Sequence, residues 1–242
     1  MIFVGNDIVD LQSDSVGNKH EDLRFLRRVF TEEERRKIEL NDNPEIALWM
    51  HWAAKEAAYK VVCKLQKPRP VFAHAQFVVD FKSSEDFGLF SNIVHATVRF
   101  RAVVLEVQFE VGQDFIHAIA YYPFGEGLNA FAILSGKRVT SSADLSLWDD
   151  DKWLQSNFTE NELLSCVRSE SALVRYFTKQ AIGKHLEFDD SRVQIIRSQI
   201  PDNFQPPYLL IDGRRTEMDV SLSHHERFVA WSFSVRRAGE IG

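Results

Sequence analysis

The chain repeats itself. Phe30-Thr31-Glu32-Glu33-Glu34 returns as Phe158-Thr159-Glu160-Asn161-Glu162, an offset of 128 residues, and HWAAKEAAYK (51–60) aligns with RYFTKQAIGK (175–184) at an offset of 124. Each copy of the first motif reads as a threonine N-cap with an acidic first turn. Each copy of the second reads as part of a long helix. Two matches in the same order imply duplication, so the fold must come from two related halves rather than one continuous core. A length of 242 residues suits two lobes.

Strand signals close both halves. Leu105, Val107, Phe109 and Val111 alternate with polar residues, and IHAIAYY follows; at the far end Val229, Trp231, Phe233 and Val235 alternate in the same way. Pro123 to Asn129, PFGEGLN, is the linker candidate. The expectation is an α+β protein of two pseudo-symmetric lobes, 1–124 and 129–242, each a mainly antiparallel sheet packed with a long helix. A net charge of -6 and a pI near 5.8 exclude a surface built throughout for nucleic acid or anionic lipid. Cys63 and Cys166 fall in stretches that read as helical, which predicts buried thiols in a reducing compartment. The start, MIFVGNDIVD, lacks a basic lead, and no run of about 18 apolar residues occurs, so a cytoplasmic protein with no membrane association is expected.

The stretch WMHWAAKEAAYKVV (49–62) carries the first chemical signal. Asn43 and Pro44 form an N-cap and N1 pair, predicting a helix from about 44 to 65 on which Glu56 and Lys60 share a face. Spacing alone leaves two readings: an exposed i,i+4 ion pair, or two members of a site. Asp7 stands in a short apolar segment after Gly5, where burial of an acid demands a cation; a turn-forming residue at a strand end is the other reading. Ser221, Ser223, His224 and His225 lie on an alternating strand ending at Glu226-Arg227.

Taken together, GNDIVDL, FTEEE, WAAKEAAYK and VSLSHHERFVAWSF resemble the 4'-phosphopantetheinyl transferase superfamily, and LRFLRRVFTEEE (23–34) resembles its holo-acyl-carrier-protein synthase branch. The resemblance implies the fold of that superfamily and an enzyme that moves the 4'-phosphopantetheine arm of coenzyme A to a carrier-protein serine, with Mg2+, releasing 3',5'-ADP. It implies that Asp7 and Glu56 hold the metal, that Glu56 takes the serine proton, and that Lys60 neutralises phosphate charge. His224, beside Ser223, matches the Ser-His motif that contacts coenzyme A. Arg175 matches a basic position that meets the nucleotide's 3'-phosphate, and Arg214 or Arg215 stands near a further polyanion-binding position.

In the repeat alignment Gln180 falls opposite Glu56, and neither serine nor histidine falls opposite the SLSHH motif. Each half keeps what the other lacks, which implies a single composite site and a monomer competent for catalysis. The lobe order departs from that of the large family members, and Val9 stands where they carry a second acid; Asp10, one residue on, would face the other way. Arg24, Arg27 and Arg28 form a basic cluster expected to receive an acidic acyl or peptidyl carrier. Two rival readings are an Mg-dependent coenzyme A pyrophosphate hydrolase and a non-catalytic carrier-binding module.

Overall fold

The computed structural model describes residues 1–82, 93–123, 131–200 and 203–237. The chain divides into two compact units, one comprising Val4–Tyr122 and the other Met1–Phe3 with Pro123–Gly242. The candidate linker, apart from Pro123, lies outside the described residues.

The first unit is built from β1 (Ile2–Asp10), α1 (Leu23–Val29), α2 (Glu32–Glu39), α3 (Pro44–Leu65), β2 (Val78–Phe81), β3 (Ile93–Phe100), β4 (Val103–Val111) and β5 (Phe115–Pro123). Its sheet has the order β1-β5-β4-β3-β2, with antiparallel pairing from β2 through β5. The central helix α3 starts where the cap signals place it: Pro44 is in its first turn and the Asn43 side chain accepts a hydrogen bond from Ile46 N. Leu48, Met50, Ala53, Ala57, Ala58 and Val61 are buried around much of its circumference, because α2 covers the helix as well as the sheet. It packs on β2, β3 and β4.

Gly5 explains how β1 approaches that helix. A Cβ there would stand 2.1 Å from Ala57 O and 2.9 Å from Val61 Cγ2, so only glycine lets the strand backbone lie against α3. Lysines of α3 then fasten onto carbonyls of β1. Lys60 Nζ donates to Asn6 O at 2.6 Å and Lys64 Nζ donates to Val4 O at 2.6 Å. The match is geometric: four helical residues rise about 6 Å and two strand residues about 6.6 Å.

The duplicated motifs form the same constellation in both units. Thr31 N donates to Glu34 Oε2 and Glu34 N donates to Thr31 Oγ1, closing a capping box. The same Oε2 accepts from Lys55 Nζ at 2.8 Å, and Oε1 accepts from Val79 N at 2.9 Å. One buried carboxylate thereby joins α2, α3 and β2. In the second unit, Glu162 Oε2 accepts from Thr159 N and from Lys179 Nζ at 3.3 Å, and Oε1 accepts from Ile195 N at 3.0 Å. Each ammonium also lies over a phenylalanine, Lys55 over Phe30 at 5.5 Å and Lys179 over Phe158 at 5.2 Å. Burial pulls the Lys55 ammonium below its ordinary range, and the Glu34 carboxylate opposes that pull.

The second unit continues through β6 (Phe131–Val139), α4 (Ser142–Ser146), α5 (Asp151–Asn157), α6 (Glu160–Leu163), α7 (Ser169–Leu186) and β7 (Val193–Ile196). The short pair β8 (Gln199–Ile200) and β9 (Asn203–Phe204) precedes β10 (Tyr208–Ile211), β11 (Arg214–Arg215), β12 (Val220–His225) and β13 (Phe228–Arg236). Two antiparallel sheets, β12-β13-β6 and β11-β10-β7, pack with α7 around Ile182, Val193, Ile195, Leu209, Val220 and Phe233. The whole is α+β with antiparallel sheets, as expected. Both cysteines are free and buried, but Cys166 lies in the turn between α6 and α7 and not in a helix: α6 ends at Leu163, so the helical reading of that stretch is corrected. Among the described residues no helix is long and apolar enough to cross a membrane.

Candidate active site

Strand β1 and helix α3 place three of the expected residues together. Asp7 is on the strand itself, not in a turn, and Lys60 Nζ lies 3.1 Å from its Oδ1. The close approach made by Gly5 sets this meeting, because the carboxylate sits two residues along the same strand. Lys60 thus pairs with Asp7, and the exposed Glu56–Lys60 ion pair that spacing allowed does not form. Burial pushes the Asp7 carboxyl up to about 7; Lys60 pulls it down, and the negative charge of Glu56 adds to the rise. The two acids, distant in sequence, therefore share one electrostatic site.

The Lys60 ammonium does not offset the burial of that carboxyl. A half-buried acid held near neutral pKa despite an adjacent ammonium calls for a stronger cation, and a pair of carboxylates is the protein contribution that Mg2+ takes, completing its shell with water and phosphate oxygens. Asp7 and Glu56 fit that ion. Among the described residues no group of three or more His, Cys, Asp and Glu forms a cage that could hold a metal unaided. Asp10 is buried, and its Oδ1 accepts a hydrogen bond from Gln12 N.

The raised Asp7 value has a sign that can be tested. Folded Asp7 keeps its proton up to about 7 while the unfolded carboxyl loses it near 3.8, so the stability this group lends is fullest below about 4 and is lost as pH rises to about 7. In the presence of a chelator, Asp7→Asn should therefore melt higher than wild type at pH 8, and the gain should fade toward pH 4. Thermal melts across that range check it; a gain independent of pH would contradict the shift.

Glu56 has a neighbour that spacing did not reveal. His74 Nε2 stands 3.4 Å from Glu56 Oε1, presented by the segment between α3 and β2. Its ring packs against Trp52, at 4.6 Å, and Phe72, at 4.0 Å. Those two continue the stack to Phe25 and Tyr59, and Arg69 lies over the Tyr59 ring. An aromatic residue every few positions from Phe72 to Phe77 was the available signal, but it carries no helical or strand period.

The other expected residues belong to the second unit. His224 and Ser223 are on β12, paired with Val229 and Ala230, and Ser223 Oγ donates to Ala230 O at 3.5 Å. Arg214 and Arg215 are exposed on β11, after a tight turn in which Asp212 and Gly213 both have positive φ. Arg215 lies over the Tyr208 ring at 4.7 Å. Arg175 needs correction. It is buried on α7, donating through Nη1 to Ser171 O and Oγ and through Nε to Ile195 O, so its guanidinium serves packing and is not offered to a phosphate. His51, its counterpart in the repeat, is likewise buried and donates to the carbonyl one turn back, Ala47 O, at 2.7 Å. Burial holds that imidazole down to about 4.

Residues 3–120, spanning β1 to most of β5 and including Asp7, Glu56, Lys60 and His74, match the model of the 4'-phosphopantetheinyl transferase superfamily. No curated protein matches the sequence.

Proposed function

Through residues 3–120 this chain belongs to the 4'-phosphopantetheinyl transferase superfamily, and from that premise we propose that it transfers the 4'-phosphopantetheine arm of coenzyme A to a serine of an acyl or peptidyl carrier protein. The observation that carries the reading is the convergence of Asp7, Glu56 and Lys60 in one electrostatic site. Asp7 and Glu56 would hold Mg2+, which when bound supplies charge neutralisation at the pyrophosphate.

The protein's own groups account for the rest. Glu56 accepts the proton of the incoming serine hydroxyl. The serine oxygen bonds to the phosphorus that bears pantetheine, the bond from that phosphorus to the bridging oxygen breaks, and 3',5'-ADP departs. Lys60 leaves Asp7 to neutralise charge on the departing phosphate, which an ammonium on a flexible stem can do. Ser223, His224 and the exposed Arg214 and Arg215 are the groups proposed to grip the nucleotide.

Arg24, Arg27 and Arg28 are exposed on α1, next to the exposed Leu23. A cationic helix with an apolar residue at its start suits an acidic carrier helix. The test is incubation of the purified protein with coenzyme A, Mg2+ and a panel of apo-carriers. A phosphopantetheine-sized mass gain on a carrier, with 3',5'-ADP released only when that carrier is present, is expected. Release that does not depend on a carrier would make the protein a hydrolase instead. Arg24→Glu with Arg28→Glu should raise the carrier KM at low salt.

A further inference from the structure

We propose that His74 is a positioning residue for Glu56, holding one carboxylate oxygen so that the other faces the reaction; this rests on the transferase reading above. Nε2 is enclosed by protein, and among the described residues no hydrogen bond reaches it; the nearest acid is Glu56, 3.4 Å away. A buried ring nitrogen with no other partner is costly unless it serves that carboxylate. Two aromatic neighbours restrict the turning of the ring. Trp52 stacks on it at an interplanar angle of 28°, and Phe72 covers it at 37°.

The backbone that carries the imidazole is fixed as firmly. Lys55 Nζ, already paired with Glu34, donates to His74 O at 3.2 Å and to Phe77 O at 2.5 Å. Lys55 immediately precedes Glu56, so one residue of the helix fastens the segment whose side chain addresses the next. The second unit supplies an internal control. Lys179 is paired with Glu162, the counterpart of Glu34, but donates to Asn157 O, and the position matching Glu56 is the exposed Gln180, whose amide donates to Tyr176 OH. The lysine clamp is present in both units, whereas the histidine contact occurs where an acid needs holding.

A carboxylate acting on a serine hydroxyl must keep its orientation, and partners behind such a group set it. His74→Ala removes ring and donor together. His74→Phe keeps the stack and removes only the nitrogen, and His74→Gln restores an amide donor at the reach of Nε2. With melting temperatures compared as a check on folding, we expect kcat to fall at least about 10-fold in the Ala and Phe variants and largely to return in the Gln variant. KM values for coenzyme A and carrier should stay within about twofold, since binding is not what the contact serves. Mn2+ affinity, read by electron paramagnetic resonance without coenzyme A, should follow the same order. A His74→Phe protein equal to wild type in either kcat or Mn2+ affinity overturns the proposal. A wild type that modifies no carrier removes the transferase reading itself, and the two failures are therefore distinct.

Discussion

Glu56→Gln should abolish transfer, lowering kcat by about 10³-fold, with the protein still folded; loss of a positioned general base costs about 10²–10⁴ in rate, and a ligand to the proposed cation goes with it. The amide is almost the same size as the acid, so the helix should accept it. The chain supports that expectation, because the repeat places Gln180 at the matching position of α7. Removing the Glu56 charge also removes one cause of the elevated Asp7 value, so that carboxyl should titrate lower in the variant. Carrier mass spectrometry reads the first effect and a carboxyl-resolved NMR titration the second. Near-normal turnover would defeat the role assigned to Glu56.

The second large effect is on stability. Glu34→Ala should cost about 3–5 kcal/mol, the usual result of removing one partner of a buried ion pair. The loss has identifiable parts: Lys55 would keep a fully buried ammonium without its carboxylate, and Thr31 N and Val79 N would each lose an acceptor. Replacing both partners, Glu34→Ala with Lys55→Met, should cost less than Glu34→Ala alone, because no uncompensated charge is then buried. Urea denaturation together with exchange of the Val79 amide reads this, the exchange localising the damage to the first unit. A cost below about 1 kcal/mol in the single variant would mean that water or a rearranged partner reaches Lys55, and that the clamp is not a buried pair in solution.

Much of this was legible along the chain. The helix at 44–65, the threonine caps at 31 and 159 and the strands of 105–111 and 229–235 follow from local rules, since caps and periodicities act over a few residues; the pairing of Asp7 with Glu56 comes from the family resemblance. Two readings were overturned. Arg175 was expected to meet a phosphate because it matches a basic position of the family it resembles, yet its face of α7 is buried. Lys60 looked like the partner of Glu56 because i,i+4 residues are neighbours, yet β1 passes close enough to take it. His74 was illegible for a different reason. It is 18 residues beyond Glu56, in a segment with no period, and its course is set by hydrogen bonds from a buried lysine.

By itself the sequence determined the repeat, the long helix at 44–65, the threonine caps and the alternating strands, and which residue types were available for a divalent cation and a diphosphate, because those depend on composition and spacing. Only the tertiary structure decided which charges are spent on architecture and which remain for chemistry. Glu34, Lys55, Glu162, Lys179 and Arg175 go to the first purpose, and Asp7, Glu56 and His74 are the groups proposed for the second. The physical reason is burial: it fixes what each charged group must pair with, and burial is a property of the packed chain.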